Sequence, residues 1–137
     1  MSEEKHLLAA IMFTDIVGYT ALMGEKETEA LEILRINRNL QKKYISQYGG
    51  VWLKEMGDGI LARFDSALNA ILCAKEIQKK IREEASYKVR IGIHLGDVTI
   101  ENGDVFGDGV NIASRLQSIA DPGGIYVSES VIHAKRA

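Results

Sequence analysis

The sequence predicts an α+β fold, a mostly antiparallel sheet with helices packed on one face. Three observations predict it. Leu7 to Phe13 is an unbroken apolar run of strand length. Glu25 to Tyr48 and Ser66 to Glu84 repeat apolar residues at three- and four-residue spacing, as amphipathic helices do. Between them, Val51 to Phe64 places Gly57-Asp58-Gly59 between two β-prone runs, a strong hairpin signal. Continued to the end, the order is β, α, β, β, α, β, β, α, β, which contains two β-α-β halves.

The first strand ends at Thr14-Asp15, and Gly18 breaks the pattern before Tyr19-Thr20. A carboxylate at the mouth of a buried strand needs a partner. Asp15 serves either as the cap of a short helix or as a ligand. In the long helix, Ile33, Ile36, Leu40, Tyr44 and Tyr48 form the apolar stripe, and Gly49-Gly50 stops it. Glu25, Glu27 and Glu29 crowd its start and Arg35, Arg38, Lys42 and Lys43 its later turns, which suits the helix dipole and a solvated face. In the hairpin, Asp58 is a natural turn former. Its flanking glycines also leave the carboxylate uncrowded, and Lys54 puts a cation on the same hairpin.

Asp65-Ser66 caps the second helix, whose stripe is Ala67, Leu68, Ile71, Ala74, Ile77 and Ile81. Tyr87 to Leu95 is a strand in which Val89, Ile91 and Ile93 alternate and His94 faces the other way, as a hydrogen-bonded structural histidine. Gly96-Asp97 and Glu101 to Asp104 read as turns around a short hairpin, Val98–Ile100 with Asp104–Phe106. A helix from about Val110 to Ala120 follows, with Asn111 and Arg115 on one face and Val110, Ile112, Ala113, Leu116 and Ile119 on its apolar side. Asp121 to Gly124 stops it, and Ile125-Tyr126-Val127 begins a last strand.

Composition bounds the function. The 137 residues suit one domain, the 46% apolar fraction is ordinary, and at a net charge of −2 no excess of positive charge points to nucleic acid or an anionic membrane. No apolar run approaches the ~20 residues of a membrane span, and the charged MSEEKH start lacks a signal-peptide core. Cys73 is alone, which rules out an internal disulfide and reads as a small buried apolar residue. The expectation is a cytoplasmic domain.

Three ordered stretches, FTDIVGYT (13–20), KEMGDGILARF (54–64) and DVFGDGVNIASRL (104–116), resemble the catalytic domain of class III nucleotidyl cyclases, the adenylate/guanylate cyclase family. The resemblance runs from about Leu8 to Val131. It implies a ferredoxin-like β-α-β-β-α-β core and a head-to-tail homodimer with active sites in the groove between protomers. Asp15 and Asp58, with the carbonyl of Ile16, would hold two Mg²⁺ or Mn²⁺ ions roughly 4 Å apart. Such ions activate the 3′-hydroxyl of ATP and neutralise departing pyrophosphate. The turn from Ile16 through Gly18, Tyr19 and Thr20 would offer N–H groups to the phosphates.

Lys54 and Asp104 match the family's base-reading pair, and hydrogen-bond logic supports the match. Adenine accepts at N1 and donates from its 6-amino group, lysine only donates, and an ionised aspartate only accepts. Guanine reverses both sites, so the pair would oppose it. Asn111 and Arg115 match the transition-state pair, the first orienting ribose and the second meeting charge on the α-phosphate. The resemblance therefore implies an adenylate cyclase acting in signal transduction, releasing cyclic AMP and pyrophosphate.

The alternative is a catalytically silent, dimerising nucleotide-binding module. The intact set Asp15, Asp58, Lys54, Asp104, Asn111 and Arg115 argues against it. The similarly folded cyclic-dinucleotide synthases are disfavoured because their Gly-Gly-(Asp/Glu)-Glu-Phe turn is absent from this sequence. Two departures stand out. No Leu-Lys-Gly hairpin follows Val127, and Asp97 stands where some relatives carry a phosphate-directed arginine. Both suggest residues 1–137 as a catalytic domain cut short at its C-terminal hairpin, belonging to a longer protein.

Overall fold

A computed structural model describes residues 4–136; Met1–Glu3 and Ala137, the ends of the expected domain, lie outside the described residues. The chain forms β1 (Glu4–Ile16), α1 (Tyr19–Glu25), α2 (Glu27–Gln47), β2 (Val51–Met56) and β3 (Gly59–Phe64). It continues with α3 (Ala67–Glu84), β4 (Val89–Glu101), β5 (Asp104–Phe106), α4 (Asp108–Ile119), β6 (Ile125–Val127) and α5 (Glu129–Arg136). The sheet runs β2-β3-β1-β4-β5, with β6 pairing β4 in parallel and every other pair antiparallel. The first four strands with α2 and α3 make the β-α-β-β-α-β core in the order 2-3-1-4, the ferredoxin-like arrangement.

Alternation along β1 divides the molecule. Ala10, Met12 and Ile16 point to one face, where Ile33, Tyr44 and Ile45 of α2 and Ala70, Ala74 and Ile77 of α3 complete the larger core. Ala9 and Ile11 point to the other, where they meet Leu61, Val98, Val105 and Ala113 of α4. The helices therefore do not share one face as the sequence predicts. α4 crosses to the other side, and Gly92 lets it do so. A Cβ built there would lie 2.4 Å from the Ala113 carbonyl oxygen and 2.4 Å from the Gln117 nitrogen.

Several boundaries shift for identifiable reasons. The predicted turn at Gly96-Asp97 does not form; β4 runs through it and pairs with β1 from Val89 to Glu101. Gly96 instead makes room for the His94 ring, whose Nε2 would lie 2.7 Å from an added Cβ. His94 is otherwise as expected, its Nδ1 2.8 Å from Ser128 Oγ. The helix predicted from Glu25 starts at Glu27, with Lys26 in a non-helical conformation separating it from α1. Its buried face is also rotated, because Asn37 and Gln41 occupy core positions while Ile36 is exposed.

Of the polar atoms of those two amides, all but Asn37 Nδ2 are bonded among the described residues. Thr14 Oγ1 donates to Gln41 Oε1 at 3.0 Å, Gln41 Nε2 to Asn37 Oδ1 at 3.0 Å, and Tyr87 Oη to the same oxygen at 3.2 Å. Burial pushes the Tyr87 phenol up to about 12 and the Cys73 thiol up to about 12, in keeping with an inert core cysteine. The Ser66 cap holds, its Oγ accepting from Asn69 N at 3.2 Å. Leu68 and Ile119, assigned to apolar stripes, are exposed, and α5 has no counterpart in the sequence reading. α5 anchors itself through Val131, which is fully buried.

Gly92→Ala must push α4 off the sheet or distort β4. It should cost on the order of 2 kcal/mol, within the ~1–3 kcal/mol range for overpacked cores. Urea unfolding measures the loss, and hydrogen exchange should show it concentrated in α4.

Candidate functional site

The hairpin turn that presents Asp58 differs by one residue from an Asp-Gly turn. Met56 pairs with Gly59, so the two loop residues are Gly57 and Asp58. Gly57 carries the positive φ of 63°, and Asp58 does not share it. The turn is of the Gly-first kind, which needs left-handed backbone only at its first position. Asp58 Oδ2 accepts from the Ile16 N–H at 2.9 Å. This bond ties the tip of the hairpin to the end of β1 and brings Asp58 beside Asp15.

Asp15 caps no helix. The N-cap of α1 is Gly18, at φ 72° and ψ 16°, and no side chain caps it. Asp15 lies on the α4 face of the sheet, opposite Arg90 in the β1–β4 register. Its Oδ1 is buried without a hydrogen-bond partner among the described residues, as are Gln117 Nε2 and Arg90 Nε. Burial raises the pKa of its carboxyl above the ordinary value, and the neighbouring Asp58 carboxylate adds to the rise. Gln117, close by without a hydrogen bond of regular geometry, and Arg90 pull the other way. Two carboxylates, one with an orphaned buried oxygen, have the donor chemistry of a hard divalent cation. No group of three or more His, Cys, Asp or Glu gathers among the described residues. A Mg²⁺-like ion commonly takes only one or two carboxylates and completes its shell with phosphate and water.

The turn after β1 is partly committed. Ile16 N–H serves Asp58, and Val17 N–H donates to the Lys88 carbonyl at 2.9 Å. This leaves Gly18, Tyr19 and Thr20 at the head of α1. The Tyr19 ring packs against the larger core.

Lys54 and Asp104 meet directly. Lys54 Nζ donates to Asp104 Oδ1 at 2.8 Å, and the Val105 N–H donates to the same oxygen at 2.8 Å. The Lys54 bond, then the Val105 bond, hold the Asp104 carboxyl below the ordinary range. Asp104 Oδ2 and the remaining ammonium hydrogens have no protein partner among the described residues. The turn that starts β5 at Asp104 is Asn102-Gly103, both at positive φ (52° and 79°), as the sequence predicts.

Asn111 and Arg115 are exposed on α4, their mutual contact a long 3.5 Å from Arg115 Nε to the Asn111 carbonyl. Gln117 on the same helix is buried against the sheet. Residues two apart in a helix project about 200° apart, so Arg115 points away from Asp15 where Gln117 points toward it. One chain thus assembles the carboxylate pair and the Lys54–Asp104 pair but leaves Asn111 and Arg115 facing outward. Sequence reasoning missed Gln117 and Arg90 around Asp15, since neither belongs to a motif that would single it out.

The family model described as "Adenylate and Guanylate cyclase catalytic domain" matches residues 1–136. A Rhizobium meliloti (strain 1021) protein named putative adenylate cyclase 3 is 40% identical over 133 residues, covering 90% of this chain and 22% of that protein. An adenylate cyclase of Streptomyces coelicolor is 35% identical over 120 residues, covering 86% of this chain and 32% of the relative. This chain therefore spans a third or less of these curated relatives, which are longer proteins. Among solved structures, an adenylate/guanylate cyclase/hydrolase from Silicibacter pomeroyi superposes with a TM-score of 0.87 at 43% identity, over 98% of this chain and 84% of that one. No helix among the described residues is long and apolar enough to cross a membrane.

The raised pKa of Asp15 gives a pH signature. The folded chain holds this proton more tightly than the unfolded chain does, so its stabilising effect is complete below about 3.8. The effect is lost as pH rises through the higher folded value. Asp15→Asn should therefore melt higher than the parent without cations, by a margin that widens from about pH 4 to pH 7. Mn²⁺ should raise the melting temperature of the parent, and the same variant should lose that rise.

Proposed function

The chain belongs to the adenylate and guanylate cyclase catalytic-domain family, and on that premise we propose that it converts ATP to 3′,5′-cyclic AMP and pyrophosphate at sites shared by two copies. The observation that carries the reading is the Lys54–Asp104 pair at 2.8 Å, which joins side chains fifty residues apart in sequence. It is a donor beside an acceptor, the complement of the adenine edge. The unused hydrogens of Lys54 would donate to N1, and Asp104 Oδ2 would accept from the 6-amino group. Guanine would set donor against donor and acceptor against acceptor.

Asp15, Asp58 and the Ile16 carbonyl would hold the family's divalent cations, two Mg²⁺ or Mn²⁺, which supply Lewis acidity at the α-phosphate and acidify the 3′-hydroxyl. The orphaned Oδ1 of Asp15 and its repulsion by Asp58 support that assignment. Gly18, Tyr19 and Thr20 would offer backbone N–H groups to the phosphates. Arg115 would meet the charge that builds on the α-phosphate, and Asn111 would orient the ribose.

The direction of α4 supports a head-to-tail homodimer. Arg115 points away from the carboxylates of its own chain, so in this reading a second copy would supply it. A cytoplasmic setting belongs to the same proposal, where ATP is available and Cys73 stays reduced.

Incubating the protein with Mn²⁺-ATP and separating the products tests the reaction. Cyclic AMP is the expected product, and Asp58→Ala should lower its rate by at least about 100-fold, the scale on which removing one electrophilic group acts. Recovery of unchanged ATP, or of a linear dinucleotide, would sink the reading.

Sharing of the site has its own signature. A mixture of Asp58→Ala and Arg115→Ala chains forms some dimers with both defects in one groove and an intact second groove. With random exchange about half the dimers are mixed, so activity should return to roughly a quarter of the parent for independent sites. Mixed dimers that stay inactive would exclude the head-to-tail arrangement.

A further inference from the structure

β2 carries one irregularity. Trp52 pairs with Ala62 and Lys54 with Leu61, so Leu53 is an extra residue, a β-bulge. In a regular strand Trp52 and Lys54 would share a face, because side chains alternate with a period of two. The bulge breaks that parity. Trp52, opposite Ala62, stays on the α2 face of the sheet, whereas Lys54, opposite Leu61, turns to the α4 face, where Asp104 receives it. Glu55, opposite Ile60, returns to the α2 face.

α2 grips the strand on both sides of the bulge. The Lys42 ammonium sits 5.1 Å from the centroid of the Trp52 ring. Arg38 Nε donates to Glu55 Oε1 at 2.6 Å, with both side chains about two-thirds buried. Arg38 and Lys42 are one helical turn apart, so a single face of α2 holds residues 52 and 55 at once.

We infer that Arg38 and Glu55 are positioning residues for base selection: with Lys42 and Trp52 they clamp β2 around its bulge and keep Lys54 on the face of Asp104. A register slip of one residue would turn Lys54 toward α2 and put Glu55 in its place, a carboxylate where a donor is needed. The clamp acts on register rather than on overall stability, as expected of a single ion pair. The inference rests on the reading of Lys54 and Asp104 as the base-reading pair.

The test compares Arg38→Met, Glu55→Gln and the charge-exchanged pair Arg38→Glu with Glu55→Arg. Two quantities are measured: the ratio of kcat/KM for ATP over GTP, and the titration of the Asp104 carboxyl by NMR without nucleotide. Each single variant should lower the ratio about fivefold or more, with Asp104 titrating nearer the ordinary carboxylate range and the urea midpoint little changed. The exchanged pair should restore both. A parent-like ratio and a parent-like Asp104 titration in a folded single variant would overturn the inference. Lys54→Glu with Asp104→Cys, run alongside, separates the two claims. If that variant keeps the parent ratio, the base-reading assignment fails, and the Asp104 titration alone decides the clamp. Should Arg38→Met not fold, Glu55→Gln carries the same measurements with a smaller change in shape.

Discussion

The approach of α4 to the sheet at Gly92 is the constraint on which the site depends. The helix backbone lies where a side chain on β4 would be, so only glycine permits the contact. That closeness brings Gln117 against Asp15 and, by the turn of the helix, sends Arg115 and Asn111 outward. Held farther away, α4 would leave Asp15 open to water and ease its raised pKa. The helix would also present its outer residues in a different position. One missing methyl group thus sets both the electrostatics of the inner carboxylate and the aim of the outer pair.

The two faces of the sheet divide the work. The α2–α3 face holds the larger apolar core, and beneath the end of β1 it also holds the buried chain Thr14–Gln41–Asn37–Tyr87. Hydrogen-bonded buried side chains specify a geometry more narrowly than apolar contacts do. Thr14 precedes Asp15, so one residue is anchored from below while the next faces the site. The α4 face has the smaller core, and three of the orphaned buried polar atoms, Asp15 Oδ1, Arg90 Nε and Gln117 Nε2, gather there.

Most of the order of elements along the chain and the three motif stretches were legible because they rest on local signals, namely apolar periodicity, turn glycines and charged residues at fixed spacing. What escaped depends on contacts distant in sequence. Asn37 and Gln41 lie outside the predicted apolar stripe and are core, because their partners come from β1 and from Tyr87. Gly96 reads as a turn and is a seat for the His94 ring. The Gly-Asp-Gly triplet announces the hairpin, but which pair forms the loop is decided by the β2–β3 register. The direction of α4 was hidden too, since periodicity identifies an apolar face without saying which side of a sheet it will meet. In the candidate site, Lys54 and Asp104 were visible as motif members, whereas Arg38 and Glu55, proposed above to position Lys54, were indistinguishable from ordinary surface charges.

β2 ends the sheet, and its outer backbone groups pair with no other strand among those described. Such a row is a template on which a stray extended chain can add itself, the first step toward aggregation. The bulge at Leu53 interrupts that row and twists it, and the charged pair Lys54-Glu55 directly after it makes an added strand unwelcome. An edge of regular pleat and apolar composition would polymerise more readily at the concentrations reached during synthesis. The irregularity that aims one lysine therefore also protects the chain's solubility, and a substitution that straightened β2 would put both at risk.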